Sequence, residues 1–216
     1  LGVSLQDRED ADCAMWKCTN CHHVELATDK PERCSVCGAE AEKLVPHEIL
    51  GIKGEKTPQN LKAGFIAESQ AHLRNLTFAI KAEEEGFSQV AKLFRAIAEA
   101  EAVHAFNHLR LLGAVASTQE NLETAFEREK LASSTYPQFI KEANEEDNEQ
   151  VARIFSYSRD VERGHAKLYE KALEHMLGDV DTEYYLCGVC GYVSDGELPD
   201  RCPICGAPRE RFKRVA

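Results

Sequence analysis

The chain has 216 residues, enough for one or two ordinary domains or one core with small satellites. With 26 Lys and Arg against 37 Asp and Glu its formal charge is -11, which repels polyanions and argues against nucleic acid or an acidic membrane face as a partner. No run of about 18 apolar residues occurs, and the opening LGVSLQDREDADCAMW lacks the apolar stretch of a secretory signal, so a cytoplasmic protein with no membrane span is expected.

The first predicted element is a small cysteine domain over residues 1–46. Cys18, Cys21, Cys34 and Cys37 form two CxxC knuckles separated by HHVELATDKPER, a loop long enough to bring four thiolates round one ion. Nine cysteines in a chain without an export signal argue against disulfides, because the cytosol keeps thiols reduced. Cys13 stands outside the pattern and is read as an incidental thiol. The stretch GIKGEKT from Gly51 to Thr57 misses the phosphate-loop spacing and is read as linker.

The second element, residues 47–178, is predicted to be helical. From Thr57 to Leu177 Pro and Gly are scarce, while Ala, Leu, Glu and Lys are dense and apolar residues recur at helical spacing. Thr57-Pro58 and Ser117-Thr118 mark helix starts; Glu85-Gly86, Gly113, Glu145 to Asn148 and Gly178 mark breaks. Four helices of about 25 residues follow.

Shifted by 61 residues, this segment matches itself without a gap. Asn60-Leu61 meets Asn121-Leu122, Phe65 meets Phe126, Glu68 meets Glu129, Phe94 meets Phe155, Glu101 meets Glu162, and His104-Ala105 meets His165-Ala166. Glu68 and Glu129 each sit on an apolar helical stripe, where a lone carboxylate would be costly. Glu101 with His104 and Glu162 with His165 are ExxH pairs, whose spacing of three puts both side chains on one face. One Glu from each of two helices plus ExxH from each of the other two is the donor set of a dinuclear carboxylate site in a bundle core. Four carboxylates balance two divalent ions, and carboxylate with imidazole suits iron or manganese. An iron pair would give two electrons at once, which points to O–O bond chemistry.

The third element, residues 179–216, repeats the cysteine device with Cys187, Cys190, Cys202 and Cys205 around GYVSDGELPDR. The flanks repeat too: Trp16 and Tyr185 before the first cysteine, Pro31 with Arg33 and Pro199 with Arg201 before the third, Gly38-Ala39 and Gly206-Ala207 after the fourth. Four thiolates accept zinc or iron, so the ligands alone leave a structural zinc site and an electron-carrying iron site open. The segment YLCGVCGYVSDGELPDRCPICGAPRERF resembles rubredoxin, which implies iron and one-electron transfer. The N-terminal copy has His22-His23 where the other has Gly191-Tyr192, and iron or zinc stays open there.

Together FIAESQAHL, AEAEAVHAFNHL, YPQFIKEA, VERGHAKLYEKAL and the C-terminal cysteine segment resemble the rubrerythrin family over about 170 residues. The resemblance implies an all-α, ferritin-like four-helix bundle with a C-terminal rubredoxin-like domain; the second small rubredoxin-like domain, at the N-terminus, departs from the usual single one, though relatives with the extra module at the front are known. The resemblance implies a di-iron centre held by Glu68, Glu101, His104, Glu129, Glu162 and His165. It also implies reduction of hydrogen peroxide to water, with electrons from a reductase arriving through rubredoxin iron, as a defence against oxidative stress.

The chain departs from the family pattern at Ala132, where a seventh carboxylate ligand is usual, and it is one residue shorter between Glu129 and Tyr136, as though a local helix bulge were lost. Glu127, two positions from Glu129, is read as surface. A symmetric six-ligand site follows, and oxygen reduction or ferrous ion oxidation stand as alternatives, with a non-enzymatic redox sensor as a third. Tyr136, two turns beyond Glu129, is placed to hydrogen-bond a ligand carboxylate and deliver a proton, or simply to fill the core. His72 and His108 are read as helix-surface residues or neighbours of the site, and His175 as complementing a helix dipole. The link around Gly113 to Gln119 is too short to cross a bundle, so either the topology becomes up-down-up-down or, the favoured expectation, a homodimer forms with swapped helical hairpins.

Overall fold

The computed structural model describes residues 14–47, 52, 56–175 and 181–215; Cys13, most of the Gly51 to Thr57 stretch, Gly178 and the side chain of His175 lie outside the described residues. The described chain forms two compact units. One takes the residues up to Thr19, with His23–Cys34 and Ala39–Ala116; the other takes Asn20–His22, Ser35–Gly38 and the residues from Ser117 onward.

In the first unit, β1 (Ala14–Cys18) pairs antiparallel with β2 (Val24–Ala27) and with β3 (Leu44–Pro46), giving the order β2-β1-β3. Helix α1 (Lys56–Glu84) then packs against α2 (Ser88–Leu111). The turn between them is a Schellman motif. Gly86 takes φ +82°, the Gly86 N–H donates to Glu83 O at 3.0 Å, and the Phe87 N–H donates to Ala82 O at 2.8 Å.

The second unit repeats the plan. Helix α3 (Thr118–Glu145) packs against α4 (Glu149–His175), and Asp147, at φ +57°, stands where the first copy has Gly86. The break foreseen at Glu145 to Asn148 is this turn, with the Asn148 N–H on Ala143 O at 2.8 Å. Helix α3 starts at a complete capping box: the Ser117 side chain accepts from the Glu120 N–H, and Glu120 reaches back to the Ser117 N–H. Strands β4 (Tyr184–Cys187), β5 (Val193–Asp195) and β6 (Phe212–Val215) form a sheet of order β5-β4-β6, the plan of the N-terminal sheet again.

Small residues bring the paired helices together. Ala82, Ala91 and Ala105 are buried in the first unit, and Ala143, Ala152 and Ala166, each 61 residues later, are buried in the second. The other apolar face of the first hairpin is open: Leu73 is 65% exposed, Ile80 63%, Leu93 60% and Phe106 55%. Among the described residues, no helix is long and apolar enough to cross a membrane.

Candidate metal centre

The six predicted carboxylate and imidazole donors gather as two triads, one in each unit. Glu68 of α1 meets Glu101 and His104 of α2; Glu129 of α3 meets Glu162 and His165 of α4; within each triad the donor atoms lie within 4.8 Å of one another. Helical spacing of three brings each Glu to its His: His104 Nδ1 is 2.9 Å from Glu101 Oε2, and His165 Nδ1 is 3.1 Å from Glu162 Oε2 and 3.9 Å from Glu129 Oε2.

Electrostatics couple the carboxylates of the second triad. Burial, then a hydrogen bond to Glu162, then the charge of Glu162, push Glu129 up to about 8. Two carboxylates at this separation share a proton unless a cation takes its place, so the donor set fits a metal ion. The outer nitrogen of His165 agrees. Its Nε2 lies 3.1 Å from the Gly191 carbonyl oxygen, the arrangement in which a metal-binding imidazole donates its second N–H to a backbone acceptor.

Sequence reasoning missed two participants on this side. One is the Gly191 carbonyl, a backbone group with no residue signature. The other is Tyr169, one turn past His165, whose phenol is pushed above its ordinary value by burial and then by the charges of Glu129 and Glu162. The 61-residue comparison pairs Tyr169 with His108, so the repeat gave it no identity to stand on.

Neighbouring residues fall into place around the triads. The His72 Nδ1 lies 2.8 Å from Ala98 O and ties α1 to α2. The His108 ring packs over Gly64, and its Nδ1 is buried without a hydrogen-bond partner among the described residues. Tyr136 packs in an aromatic cluster, with ring centroids 5.9 Å from Phe139 and 6.0 Å from Phe155. Helix α3 runs unbroken past Ala132, with Pro137 inside it and no bulge. Glu127, read as surface, is half-buried: its side chain is 18% exposed and accepts from Lys130 Nζ at 2.9 Å. It does not join the triad.

All eight knuckle cysteines converge as two clusters, Cys18, Cys21, Cys34 and Cys37, and Cys187, Cys190, Cys202 and Cys205. In the second, Cys187 Sγ is 3.8 Å from Cys205 Sγ and Cys190 Sγ is 3.5 Å from Cys202 Sγ. A tetrahedron with metal–sulfur bonds near 2.3 Å has edges of about 3.8 Å, so the sulfurs already fit one ion. Burial opposes the Cys187 thiolate, yet the N–H groups of Val189 and Cys190 and the neighbouring thiols outweigh it and hold its pKa below the ordinary value. Burial raises Cys190 and Cys205. Gly38 and Gly206, at φ +71° and +72°, make the matching turn after the fourth cysteine of each cluster.

The chain is similar in sequence to known proteins. The rubrerythrin family model matches residues 59–120 and 120–194, and the model of the rubrerythrin rubredoxin-like domain matches residues 185–213. A rubrerythrin of Porphyromonas gingivalis is 34% identical over 182 residues, covering 75% of this chain and 91% of its own. Nigerythrin of Nitratidesulfovibrio vulgaris is 31% identical over 178 residues, covering 72% and 85%. A solved structure of nigerythrin in a mixed-valent state shares 32% identity and covers 76% of this chain and 89% of that one, at a TM-score of 0.46. The donors of a di-iron site and of rubredoxin-like four-cysteine sites at both ends are thus carried on family-matched helices and paired cysteine knuckles, and the chain belongs to the rubrerythrin family of oxidoreductases.

Proposed function

We propose that the chain is a cytoplasmic di-iron peroxidase that reduces hydrogen peroxide to water with electrons relayed from tetrathiolate iron centres, protecting against oxidative stress. His165 carries the reading. Its Nδ1 faces the carboxylates of the second triad, and its Nε2 faces the carbonyl of the residue next to Cys190. One imidazole therefore links a metal half-site to a thiolate cluster by a single hydrogen bond.

Peroxide needs two electrons and two protons to become two waters, and iron, when bound, supplies the one-electron changes at both kinds of site. The protein supplies the rest. Six donors hold the reacting pair, while four-thiolate sites, having no open position, carry charge without admitting substrate. Tyr169 keeps its proton beside Glu129 and Glu162 and acts as a local proton source. Tyr136, two turns beyond Glu129 on α3, is a second phenol for the same task. An unidentified reductase refills the thiolate clusters, with iron in the C-terminal one and iron or zinc in the N-terminal one.

Oxygen reduction is the second reading, favoured by Ala132, since the unbroken α3 offers no seventh carboxylate. Stopped-flow mixing of the fully reduced protein with peroxide, and separately with oxygen, distinguishes the two. The thiolate-to-iron absorption is expected to return faster with peroxide; its failure to return at all removes the electron-relay role. Sustained turnover with excess ferrous ion would instead mark an iron oxidase.

Chain length argues for a shared site. Between Leu111 and Thr118 only six residues connect α2 to α3, reaching about 20 Å, whereas the 24 residues of α2 span about 36 Å. The open apolar face of the first hairpin needs cover as well. A homodimer in which the first hairpin of one chain meets the second hairpin of its partner satisfies both, and completes each six-donor site from two chains.

A further inference from the structure

The residue after the first CxxC knuckle of each cysteine domain adopts a left-handed backbone. In the C-terminal domain it is Gly191, at φ +85°; in the N-terminal domain it is His22, at φ +57°. That conformation is uncommon for a residue other than glycine, so the contacts of a histidine there bear on why it is tolerated. The His22 Nδ1 lies 3.1 Å from Glu120 Oε1 and its Nε2 lies 2.7 Å from Glu123 Oε2, two carboxylates three residues apart on α3. Beside them the Thr124 hydroxyl lies 2.8 Å from the Cys21 carbonyl oxygen.

The receiving surface is fixed in advance. The second oxygen of Glu120 closes the capping box with Ser117, and the second oxygen of Glu123 accepts from Gln119 Nε2 at 2.9 Å. Both carboxylates are thus oriented by α3 itself before His22 arrives.

Each side of this contact departs from its own repeat. Where α3 has Glu120, Glu123 and Thr124, α1 has Gln59, Lys62 and Ala63, 61 residues earlier. Where the N-terminal knuckle has His22, the C-terminal knuckle has glycine. The metal donors occur in both copies, but this contact occurs in one. It therefore lies outside the repeated part of the scaffold.

We infer that His22 is a positioning residue that seats the first N-terminal cysteine knuckle on the first two turns of α3. Glu123 stands six residues before Glu129, about 9 Å along the helix. The C-terminal cluster reaches the same hairpin through Gly191 and His165. The residues that follow Cys21 and Cys190 thus both touch this hairpin, one at α3 and one at α4. Electron delivery along this contact rests on the peroxidase reading; the seating itself does not.

The test uses the full chain loaded with zinc at every site, in which no electron moves, followed by the iron-loaded chain. Hydrogen exchange at the α3 amides from Asn121 to Arg128 is measured for the wild type, H22G, H22N and the double variant E120Q/E123Q. Glycine suits the knuckle backbone, and glutamine preserves the helix cap, so metal content stays unchanged in all of them. Exchange is expected to rise about tenfold in H22G and in the double variant. H22N, which tolerates the left-handed backbone and keeps one donor, falls between. Wild-type protection in H22G or in the double variant overturns the seating, and H22N no better than H22G overturns the role of the side chain. In the iron-loaded chain, H22G is expected to slow one of the two phases of thiolate-cluster oxidation by peroxide about tenfold. Faster exchange with unchanged phases leaves the seating in place and removes electron delivery through it.

Discussion

His165 faces two ways at once: Nδ1 is 3.1 Å from Glu162 Oε2, and Nε2 is 3.1 Å from Gly191 O. The acceptor is a carbonyl whose position depends on the φ of +85° at Gly191. A Cβ added at Gly191 meets only Val161 Cγ1, at 3.8 Å, so G191A introduces backbone strain without a clash. Chemical denaturation is expected to show a loss of about 1 kcal/mol. Single-turnover kinetics should show slower transfer from the C-terminal cluster, with its visible spectrum retained.

The metal-free protein should lose stability as pH rises. Glu129 sits at about 8 in the folded chain against an ordinary value of 4.5, so between those values the folded state binds more protons than the unfolded one. The stabilising protonation is complete below about 4.5 and is lost as pH rises through about 8. Thermal unfolding with chelator, compared between mildly acidic and mildly alkaline buffer on either side of that window, measures this, and E129Q should flatten the difference. Metal loading reverses the trend, because ions displace the shared proton.

Mixing two inactive chains offers a direct assay of site sharing. E101A and E162A chains, each without turnover, are unfolded together and refolded with metal. In a swapped dimer one of the two sites of each mixed pair keeps all six donors, and activity returns to about a quarter of wild type if chains pair at random. Chains that keep both hairpins of one site to themselves give none.

Gly64 is held small by His108. A Cβ there would stand 2.7 Å from His108 Cε1 and 2.8 Å from Nδ1, so G64A forces the ring to move. Urea unfolding of the metal-free chain should show a cost of about 1–3 kcal/mol, with most of it recovered in G64A/H108A.

The two phenols are separable by substitution. Y169F removes a proton source beside Glu129 and Glu162, and should slow the peroxide step about tenfold or more with metal content unchanged. Y136F leaves the ring packing with Phe139 and Phe155 intact, so its stability should match wild type and any rate loss reports on the hydroxyl alone.

The helices were legible because helical periodicity, the break at Gly86 and the cap at Ser117 all act locally. The triads were legible because duplication printed the same donors twice, 61 residues apart. Contacts made once left no such trace. The Gly191 carbonyl belongs to the backbone, Tyr169 aligns with a histidine, and His22 looks from sequence like a weakened knuckle instead of a contact residue. Helical angle kept Glu127 out of the triad but did not show that its side chain is half-buried beside Lys130.

The two histidines that duplication made equal no longer have equal surroundings. His104 is 57% exposed with its outer nitrogen facing no cysteine knuckle among the described residues, whereas His165 is 24% exposed and backed by Gly191. Ions held by the two halves would therefore be inequivalent, and under the proposed relay charge from the C-terminal cluster would meet one of them first. The repeat would in this way have acquired a direction of traffic.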